Sequence, residues 1–373
     1  MNKIFKGIIK KLALKNYIIF ESVPDLSDNT KKVFDEMLLR NLNQKYKMVW
    51  VVSDKNKKYQ QYPNTIYIDK KTRLHRLEYY WYVLRAKCLV CCNRFLTTSR
   101  KGQTSFYLTH GTAIKSVRSY YNLPKEIDYL LVSSESVKEM MSYELKFSMD
   151  KTYGLGLPRN DVFNLDKKDL HNYFSVDFKK IIIWYPTFRQ HKNGIHTGSS
   201  NALPIIHDIQ KAKEINDFLK ENDIVIAIKP HFAQDISYIK DNQLSNIIFI
   251  DDSFFVDNEI TSYEFIGASD ALITDYSSIY FDYLLCNKPV AAVWEDIEEY
   301  KENPGFAIDV ETYMSGARKI YSLEDFKHFI SEVSENLDLL KEERQKNSEW
   351  ANYSCDGKNA ERVTNFIVEK AKL

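Results

Sequence analysis

The sequence has 373 residues, 44% of them hydrophobic and 28% charged, and a formal net charge of +1 at pH 7. The apolar content excludes a wholly disordered chain, and the balanced charge excludes nucleic-acid binding driven by overall charge. The length is typical of two domains of ordinary size.

The first fifteen residues combine an apolar stripe with basic side chains. One helical face carries Ile4, Phe5, Ile8, Ile9 and Leu12, and five lysines lie mostly off it. No acidic residue precedes Glu21. This pattern is typical of a helix that lies on an anionic membrane surface, although the same stripe could pack on the protein body. The sequence has neither a spanning apolar run of about 18 residues nor a signal peptide, so we expect the cytoplasmic side.

Further along, short apolar and β-branched runs alternate with amphipathic helical patterns, which predicts parallel sheets with crossover helices. Two series of strands indicate two doubly wound domains, with a seam near residues 153–161. The predicted strands are 17–20, 48–52, 65–68, 88–91, 105–108 and 129–132, then 180–184, 224–228, 247–250, 271–274 and 289–293. The predicted helices are 31–42, 73–86, 137–145, 205–220, 279–285 and the tail from residue 323. Residues 190–204 are interpreted as a mobile loop beside the site.

Three of the five cysteines, Cys88, Cys91 and Cys92, fall in or directly after the predicted strand 88–91. A zinc site would need further cysteines or histidines at ligand spacing, and none follows nearby. The sequence therefore predicts buried free thiols, no bound metal and a reducing compartment.

Candidate site residues, most of them polar, lie at or just after the ends of four of the predicted strands. In open α/β sheets, ligands bind beyond the carboxyl ends of the strands, so these residues are candidates for a site. In chain order they are His110, Gly111, Thr112 and Lys115, then Pro186, Thr187 and Arg189, then Lys229 and His231, and finally Thr274, Asp275, Ser277 and Ser278.

The last group precedes a predicted helix, and a helix N-terminus with two hydroxyls suits a phosphate. Asp282 lies one turn further on. The alternative is that Ser277 caps the helix and Asp282 is simply buried. Histidine titrates near neutral pH, so His110 could act as a general base, although structural histidines are commoner. Lys115 could neutralise phosphate, and Arg189 could clamp it in a bidentate manner. His231, close to Lys229, could stabilise an anionic leaving group.

Taken together in this order, the motifs resemble the CDP-glycerol glycerophosphotransferase family of wall teichoic acid and capsule synthesis. The resemblance covers almost the whole chain, and its motifs are individually weak but specific as an ordered set. They are Phe20-Glu-Ser-Val-Pro-Asp-Leu-Ser-Asp-Asn-Thr30, residues 103–115, Gly156-Leu-Pro-Arg-Asn-Asp161, Tyr185-Pro-Thr-Phe-Arg189, Lys229-Pro-His231, residues 273–282 and Cys355-Asp-Gly-Lys-Asn-Ala-Glu-Arg362.

The resemblance implies a GT-B-like fold, in which two Rossmann-type domains face each other across a cleft. It also implies the reaction: an acceptor hydroxyl attacks the phosphorus that carries the polyol, and CMP leaves. His110 would deprotonate the acceptor, and His231 with Arg189 would stabilise charge on the diphosphate. Ser277 and Ser278 would hold the donor phosphates, and Asp282 would orient that loop or contact the donor. No cofactor and no metal are implied.

The predicted layout is a membrane-surface helix (1–15), an acceptor domain (16–155), a CDP-polyol donor domain (156–345) and a C-terminal helix (346–373). The expected partners are CDP-glycerol, an undecaprenyl-type lipid-linked saccharide and an anionic membrane surface at the cytoplasmic face, but no nucleic acid. The length is closest to that of the family's primase members. Alternatives are a CDP-ribitol-dependent enzyme, a sugar-nucleotide glycosyltransferase of the same fold, and a non-catalytic nucleotide-binding partner in polymer synthesis.

Overall fold

A computed structural model describes residues 3–187, 203–230, 236–240, 242 and 244–373. The chain divides into two compact units. The first unit comprises Met1–Thr112, Arg118–Asp161 and Ala351–Leu373, and the second comprises Ala113–Val117 and Val162–Trp350. The predicted boundary after residue 155 therefore lies six residues before this division at Asp161. The predicted C-terminal helix at 346–373 is two separate helices in the structure, and only the part from Ala351 onward belongs to the first unit.

The first unit contains a parallel sheet of seven strands in the order β3-β2-β1-β4-β5-β6-β7. Its strands are β1 (Tyr17–Glu21), β2 (Lys47–Val51), β3 (Thr65–Ile68), β4 (Cys88–Cys91), β5 (Thr104–Leu108), β6 (Tyr129–Val132) and β7 (Thr152–Gly154). The strand order reverses between β1 and β4, which places the topological switch point of this sheet there.

Helices cover both faces of this sheet, as the buried strands require. They are α1 (Lys3–Lys11), α2 (Asp28–Leu39), α3 (Arg73–Val83), α4 (Lys138–Glu144) and, from the end of the chain, α14 (Asn359–Ala371). One core joins Phe20 and Trp50 of the sheet to Val363 and Ile367 of α14. The C-terminal helix is thus part of the first unit's hydrophobic core.

The second unit contains six parallel strands in the order β10-β9-β8-β11-β12-β13, and its switch point lies between β8 and β11. The strands are β8 (Lys180–Trp184), β9 (Ile224–Ile228), β10 (Ile247–Phe249), β11 (Ala271–Thr274), β12 (Val290–Val293) and β13 (Arg318–Ile320). The helices are α5 (Ile209–Glu221), α6 (Ser237–Lys240), α7 (Asp252–Asp257), α8 (Ser262–Ala268), α9 (Ile279–Tyr283), α10 (Ile297–Glu302), α11 (Val310–Tyr313), α12 (Leu323–Ser334) and α13 (Lys341–Ala351).

All eleven predicted strands are present in the structure, with ends that differ by at most one residue. The predicted fold class of two doubly wound α/β units is confirmed, whereas a cleft between them stays a prediction. Strands β7 and β13, each of three residues, were not predicted, because Thr-Tyr-Gly and Arg-Lys-Ile lack an apolar run. Both lie at sheet edges, where burial on two faces is not needed.

The three cysteines of β4 and its end are buried and free, as predicted. Burial raises the pKa of the Cys91 thiol to about 12. These thiols are therefore protonated packing groups at neutral pH.

The N-terminal segment forms a helix, as predicted, and none of the described helices is both long and apolar enough to cross a membrane. Ile9 is 1% exposed and is buried in the first unit, whereas Ile8 is 57% exposed and Leu12 is 37% exposed. The apolar stripe is therefore divided: part of it packs on the body, and part faces outward.

Gly154, the last residue of β7, leaves no room for a side chain. A Cβ there would collide with the backbone of Ser134 and Glu135. We expect Gly154→Ala to lower the free energy of unfolding by about 3 kcal/mol, measured by urea denaturation. The control is Gly7→Ala in α1, where an added Cβ meets nothing within 4 Å. That change should be neutral or stabilise by about 1 kcal/mol at most, so equal losses in both variants would contradict the packing argument.

Candidate active site

His110 lies just beyond β5, which neighbours β4 at the switch point of the first sheet. The preceding residue, Thr109, is held by two hydrogen bonds, since its backbone N–H and its hydroxyl both donate to the Leu131 carbonyl at 3.1 Å. The His110 side chain is 63% exposed. The ring is thus accessible to a reactant from a rigid strand end, the position that a general base requires.

A buried carboxylate holds the His110 ring. Oδ2 of Asp28, at the start of α2, makes a short hydrogen bond with Nδ1 of His110. An ionised carboxylate can only accept, so Nδ1 donates and Nε2 carries the lone pair that can take a proton. Burial favours the protonated acid, but the charge of Arg159 and the hydrogen bond from His110 outweigh it, so the pKa of Asp28 lies well below its usual range.

Arg159 and Asn29 complete this network from two other segments. Nη1 of Arg159 donates to Oδ1 of Asp28 at 3.0 Å, and both side chains are only 6% exposed. The Arg159 backbone N–H donates to Oδ1 of Asn29 at 3.0 Å, and Nδ2 of Asn29 donates to the Thr109 carbonyl at 2.8 Å. The loop that carries His110, the start of α2 and the segment after β7 are therefore fixed together.

Asp28, Asn29 and Arg159 were not among the site residues predicted from the sequence. All three lie in motifs that carried the family resemblance, at residues 20–30 and 156–161. These motifs could have drawn attention to the three residues. Their contact with His110 could not be predicted, because Asp28 and His110 are 82 residues apart along the chain.

Among the described residues, Asp28, Cys92 and His110 bring three potential metal ligands within 4.8 Å of one another. Nη1 of Arg159, however, lies 3.0 Å from Oδ1 of Asp28 and 3.1 Å from Nδ1 of His110, so a guanidinium already supplies positive charge there. Burial, with the nearby Asp28 charge, raises the pKa of the Cys92 thiol and disfavours the thiolate that a metal needs. These residues do not fit a divalent metal ion.

The motif that begins with His110 is shared by both units. Thr112 is buried in the first unit, and its hydroxyl lies 2.6 Å from that of Ser133. Lys115 belongs to the second unit, where it forms an antiparallel bridge with Phe306. The next residue, Ser116, donates its backbone N–H to Gly305 at 2.9 Å. Substrate contacts by Gly111, Thr112 and Lys115 stay predictions.

In the second unit, four of the predicted residues, Pro186, Thr187, Thr274 and Asp275, lie at the switch point between β8 and β11. Asp275, directly after β11, is fully buried. Its carboxylate accepts the backbone N–H groups of Thr187 and Tyr276, each at 2.7 Å, and the Thr187 hydroxyl. The Thr274 hydroxyl donates to the Tyr185 carbonyl at 3.2 Å. Asp275 therefore joins the loops that follow β8 and β11. It stays a prediction that the donor is contacted by Pro186, Thr187, Thr274 or Asp275.

The serines predicted to hold phosphate are half-buried at the start of α9. The structure places the N-cap at Ser278, one residue later than the capping alternative at Ser277, and the Ser278 side chain makes no capping hydrogen bond. Asp282 is 1% exposed and accepts the hydroxyl of Tyr263, a residue of α8, at 2.7 Å. Lys229, after β9, forms a 3.0 Å ion pair with the exposed Asp252. Donor contacts by Ser277, Ser278, Asp282 and Lys229 stay predictions.

Two of the predicted donor residues, Arg189 and His231, lie outside the described residues, as does nearly all of the predicted loop at 190–204. Their roles rest on the sequence motifs and stay predictions.

Comparison with known proteins gives consistent matches over most of the chain. A family model described as CDP-Glycerol:Poly(glycerophosphate) glycerophosphotransferase matches residues 4–369. The teichoic acid glycerol-phosphate primase of Bacillus subtilis (strain 168) is 24% identical over 332 residues, which cover 80% of this chain and 78% of that protein. The teichoic acid ribitol-phosphate primase of Bacillus spizizenii (strain ATCC 23059 / NRRL B-14472 / W23) is 24% identical over 249 residues, 64% of this chain and 59% of that protein.

Solved structures show the same fold. A variant of the wall teichoic acid polymerase TagF superimposes with a TM-score of 0.74 at 19% identity, covering 99% of this chain and 93% of that one. A TagF variant soaked with CDPG gives a TM-score of 0.73 at 18% identity, with the same coverage of both chains. The MnaA–UDP co-structure from S. aureus gives 0.53 at 14% identity, covering 96% of this chain and 98% of that one.

Proposed function

The chain belongs to the CDP-glycerol:poly(glycerophosphate) glycerophosphotransferase family, and on that basis we propose that it transfers glycerol phosphate from CDP-glycerol to a hydroxyl of a lipid-linked saccharide or growing polymer. The product enters teichoic acid or capsule synthesis, and CMP is released. Besides the family match, the main structural support for the proposal is the exposed His110 ring, which is held by the buried carboxylate of Asp28. The TagF structure soaked with CDPG supports the donor class.

In the proposed reaction, Nε2 of His110 takes the proton of the acceptor hydroxyl as its oxygen attacks the phosphorus that carries glycerol. A new P–O bond forms to the acceptor, the P–O bond to the CMP phosphate breaks, and CMP leaves with the electron pair. Asp28 stabilises the imidazolium that results, and Arg159 keeps Asp28 ionised. Arg189, Lys229 and His231 neutralise the diphosphate, and Ser277 and Ser278 donate to it.

The proposal is tested by the release of CMP and by the mass of the product. Purified protein is incubated with CDP-glycerol and a lipid-linked saccharide, and parallel reactions contain CDP-ribitol or a UDP-sugar. We expect CMP and a product heavier by one or more glycerol phosphate units. Absence of CMP from both CDP-polyols would exclude the proposal, and UDP release from the UDP-sugar would indicate a glycosyltransferase instead.

A ribitol-specific enzyme is the second candidate, because some relatives, such as the ribitol-phosphate primase of Bacillus spizizenii (strain ATCC 23059 / NRRL B-14472 / W23), carry that name. The same fold and the same His110 chemistry serve either polyol. CMP released from CDP-ribitol alone would identify this candidate.

The lipid-linked acceptor requires access to a membrane, and we propose that α1 supports peripheral binding at the cytoplasmic face. Ile8 and Leu12 face outward with Lys10 and Lys11, while Ile9 anchors the helix to the first unit. Apolar side chains flanked by lysines suit the interface of an anionic bilayer.

Replacing both outward apolar residues, Ile8→Glu with Leu12→Glu, should lower co-sedimentation with vesicles that contain anionic phospholipid by about tenfold or more, because apolar area is lost and negative charge is added. The matched control is Leu39→Glu with Leu339→Glu, since these leucines are 77% and 74% exposed and the charge change is the same. Equal sedimentation of the two variants would show that α1 is not the membrane contact.

A further inference from the structure

A second cluster of charged residues lies at the switch point of the first sheet. Glu21 ends β1, and its side chain is 1% exposed. Nζ of Lys70, two residues beyond β3, contacts the two Glu21 oxygens at 2.9 and 3.2 Å. Nη1 of Arg94, three residues beyond β4, lies 3.5 Å from Oε1 of Glu21. One carboxylate and two cations, from the ends of three strands, therefore lie together at the carboxyl ends of the sheet's strands.

The charges in this cluster do not balance. One cation is enough to compensate a buried carboxylate, and Lys70 does so with both oxygens. Arg94 therefore adds a positive charge that Glu21 does not require. Lys70 is 39% exposed and Arg94 is 49% exposed, so the excess charge is open to solvent. The ring of Tyr79, 4.5 Å from Nζ of Lys70, holds that lysine in place.

The cluster is connected to the His110 network through the residue that precedes Arg94. Nδ2 of Asn93 donates to the Val23 carbonyl at 2.9 Å and lies 3.4 Å from both Oδ2 of Asp28 and Nδ1 of His110. A ligand whose hydroxyl reaches His110 therefore has a cationic region beside it. The carboxyl edge at a switch point is also where open α/β sheets bind ligands.

We infer that Lys70 and Arg94 form an anion site that binds a phosphate group of the acceptor while His110 takes the proton of its hydroxyl. The inference rests on the proposed function for the role of His110, and it adds which residues bind the phosphate of the acceptor. Arginine is suited to this task, because its planar donors match phosphate oxygens and its charge persists at all working pH values. The phosphate belongs either to the diphosphate of a lipid-linked saccharide or to the phosphodiesters of a growing polymer.

The test replaces the cation that Glu21 does not need. Arg94→Gln should raise the KM for a phosphate-bearing acceptor about tenfold and leave the KM for CDP-glycerol within twofold, because one charged hydrogen bond is lost on the acceptor side. Arg94→Lys should retain most of the affinity. The matched control is Lys71→Gln, next to Lys70, which removes an exposed cation paired with Asp54 instead. The KM of Arg94→Gln is measured with a lipid-diphosphate saccharide and with a glycerol phosphate oligomer. The acceptor whose KM rises is the one whose phosphate binds to this site.

A direct binding measurement separates this inference from the proposed reaction. Titration calorimetry with inorganic pyrophosphate, carried out with saturating CDP-glycerol so that the donor site is occupied, should show binding to the wild-type chain and to Lys71→Gln, and about tenfold weaker binding to Arg94→Gln. That result would support the anion site even if no CDP-polyol released CMP. Unchanged pyrophosphate binding in Arg94→Gln, or an unchanged KM for both acceptors in an active enzyme, would overturn the inference.

Discussion

Replacing His110 with alanine should lower the rate of CMP release at least about a hundredfold, because a positioned general base contributes that much to a proton transfer. The donor dissociation constant should change by less than twofold, since His110 acts on the acceptor. The side chain is 63% exposed, so the fold should tolerate its loss. The measurement is steady-state CMP release together with CDP-glycerol binding.

The control for this variant is His328→Ala, which also removes an exposed imidazole, 68% accessible and paired with Glu332. That enzyme should keep wild-type turnover. Near-normal turnover in His110→Ala would mean that another group takes the proton. A large loss of donor binding would mean that His110 contacts the donor.

Replacing Asp28 with asparagine should lower both turnover and stability. Turnover should fall about a hundredfold, because the amide cannot stabilise an imidazolium as the carboxylate does. The free energy of unfolding should fall by about 3 kcal/mol, because the buried Arg159 guanidinium loses the Asp28 carboxylate. Adding Arg159→Met should restore part of that stability but not the turnover, so urea denaturation of the single and double variants measures the coupling.

The stability difference between wild type and Asp28→Asn should also depend on pH. The pKa of Asp28 is lowered in the folded chain, so below about pH 4 the unfolded state binds a proton that the folded state does not. The stabilisation is fully present above the unfolded pKa and is lost as the pH falls towards the folded pKa. The difference should therefore be constant near neutral pH and shrink in acid. A difference that does not depend on pH would show that the Asp28 charge contributes nothing.

The fold was predictable because its strands are continuous apolar runs. All five residues of β9, Ile-Val-Ile-Ala-Ile, are buried, so composition alone indicated a central strand. The edge strand β13, Arg-Lys-Ile, offered no such signal. Local sequence therefore predicts the central strands of each sheet but not the short strands at its edges.

The candidate site was predictable only in part. His110 could be singled out because it follows a strand, but its partner Asp28 could not, since a contact across 82 residues depends on which strands become neighbours. Arg159 is more distant still, 131 residues from Asp28. Glu21 directly follows the predicted strand 17–20, and only the structure shows that two cations contact its carboxylate.

The discontinuity of the first unit has a consequence for biosynthesis. Its core includes Val363 and Ile367 of α14, which also packs on α2 near the start of the chain. During translation, the sheet of β1–β7 is made first but lacks this helix until more than 200 further residues have been added, from Val162 onward. At roughly 5–20 residues per second, that interval lasts ten seconds or more, during which the α14-binding face of the sheet is uncovered on the ribosome. The second unit, apart from its short segment 113–117, is one continuous stretch and can fold during that interval, so the part of the protein made first is completed last.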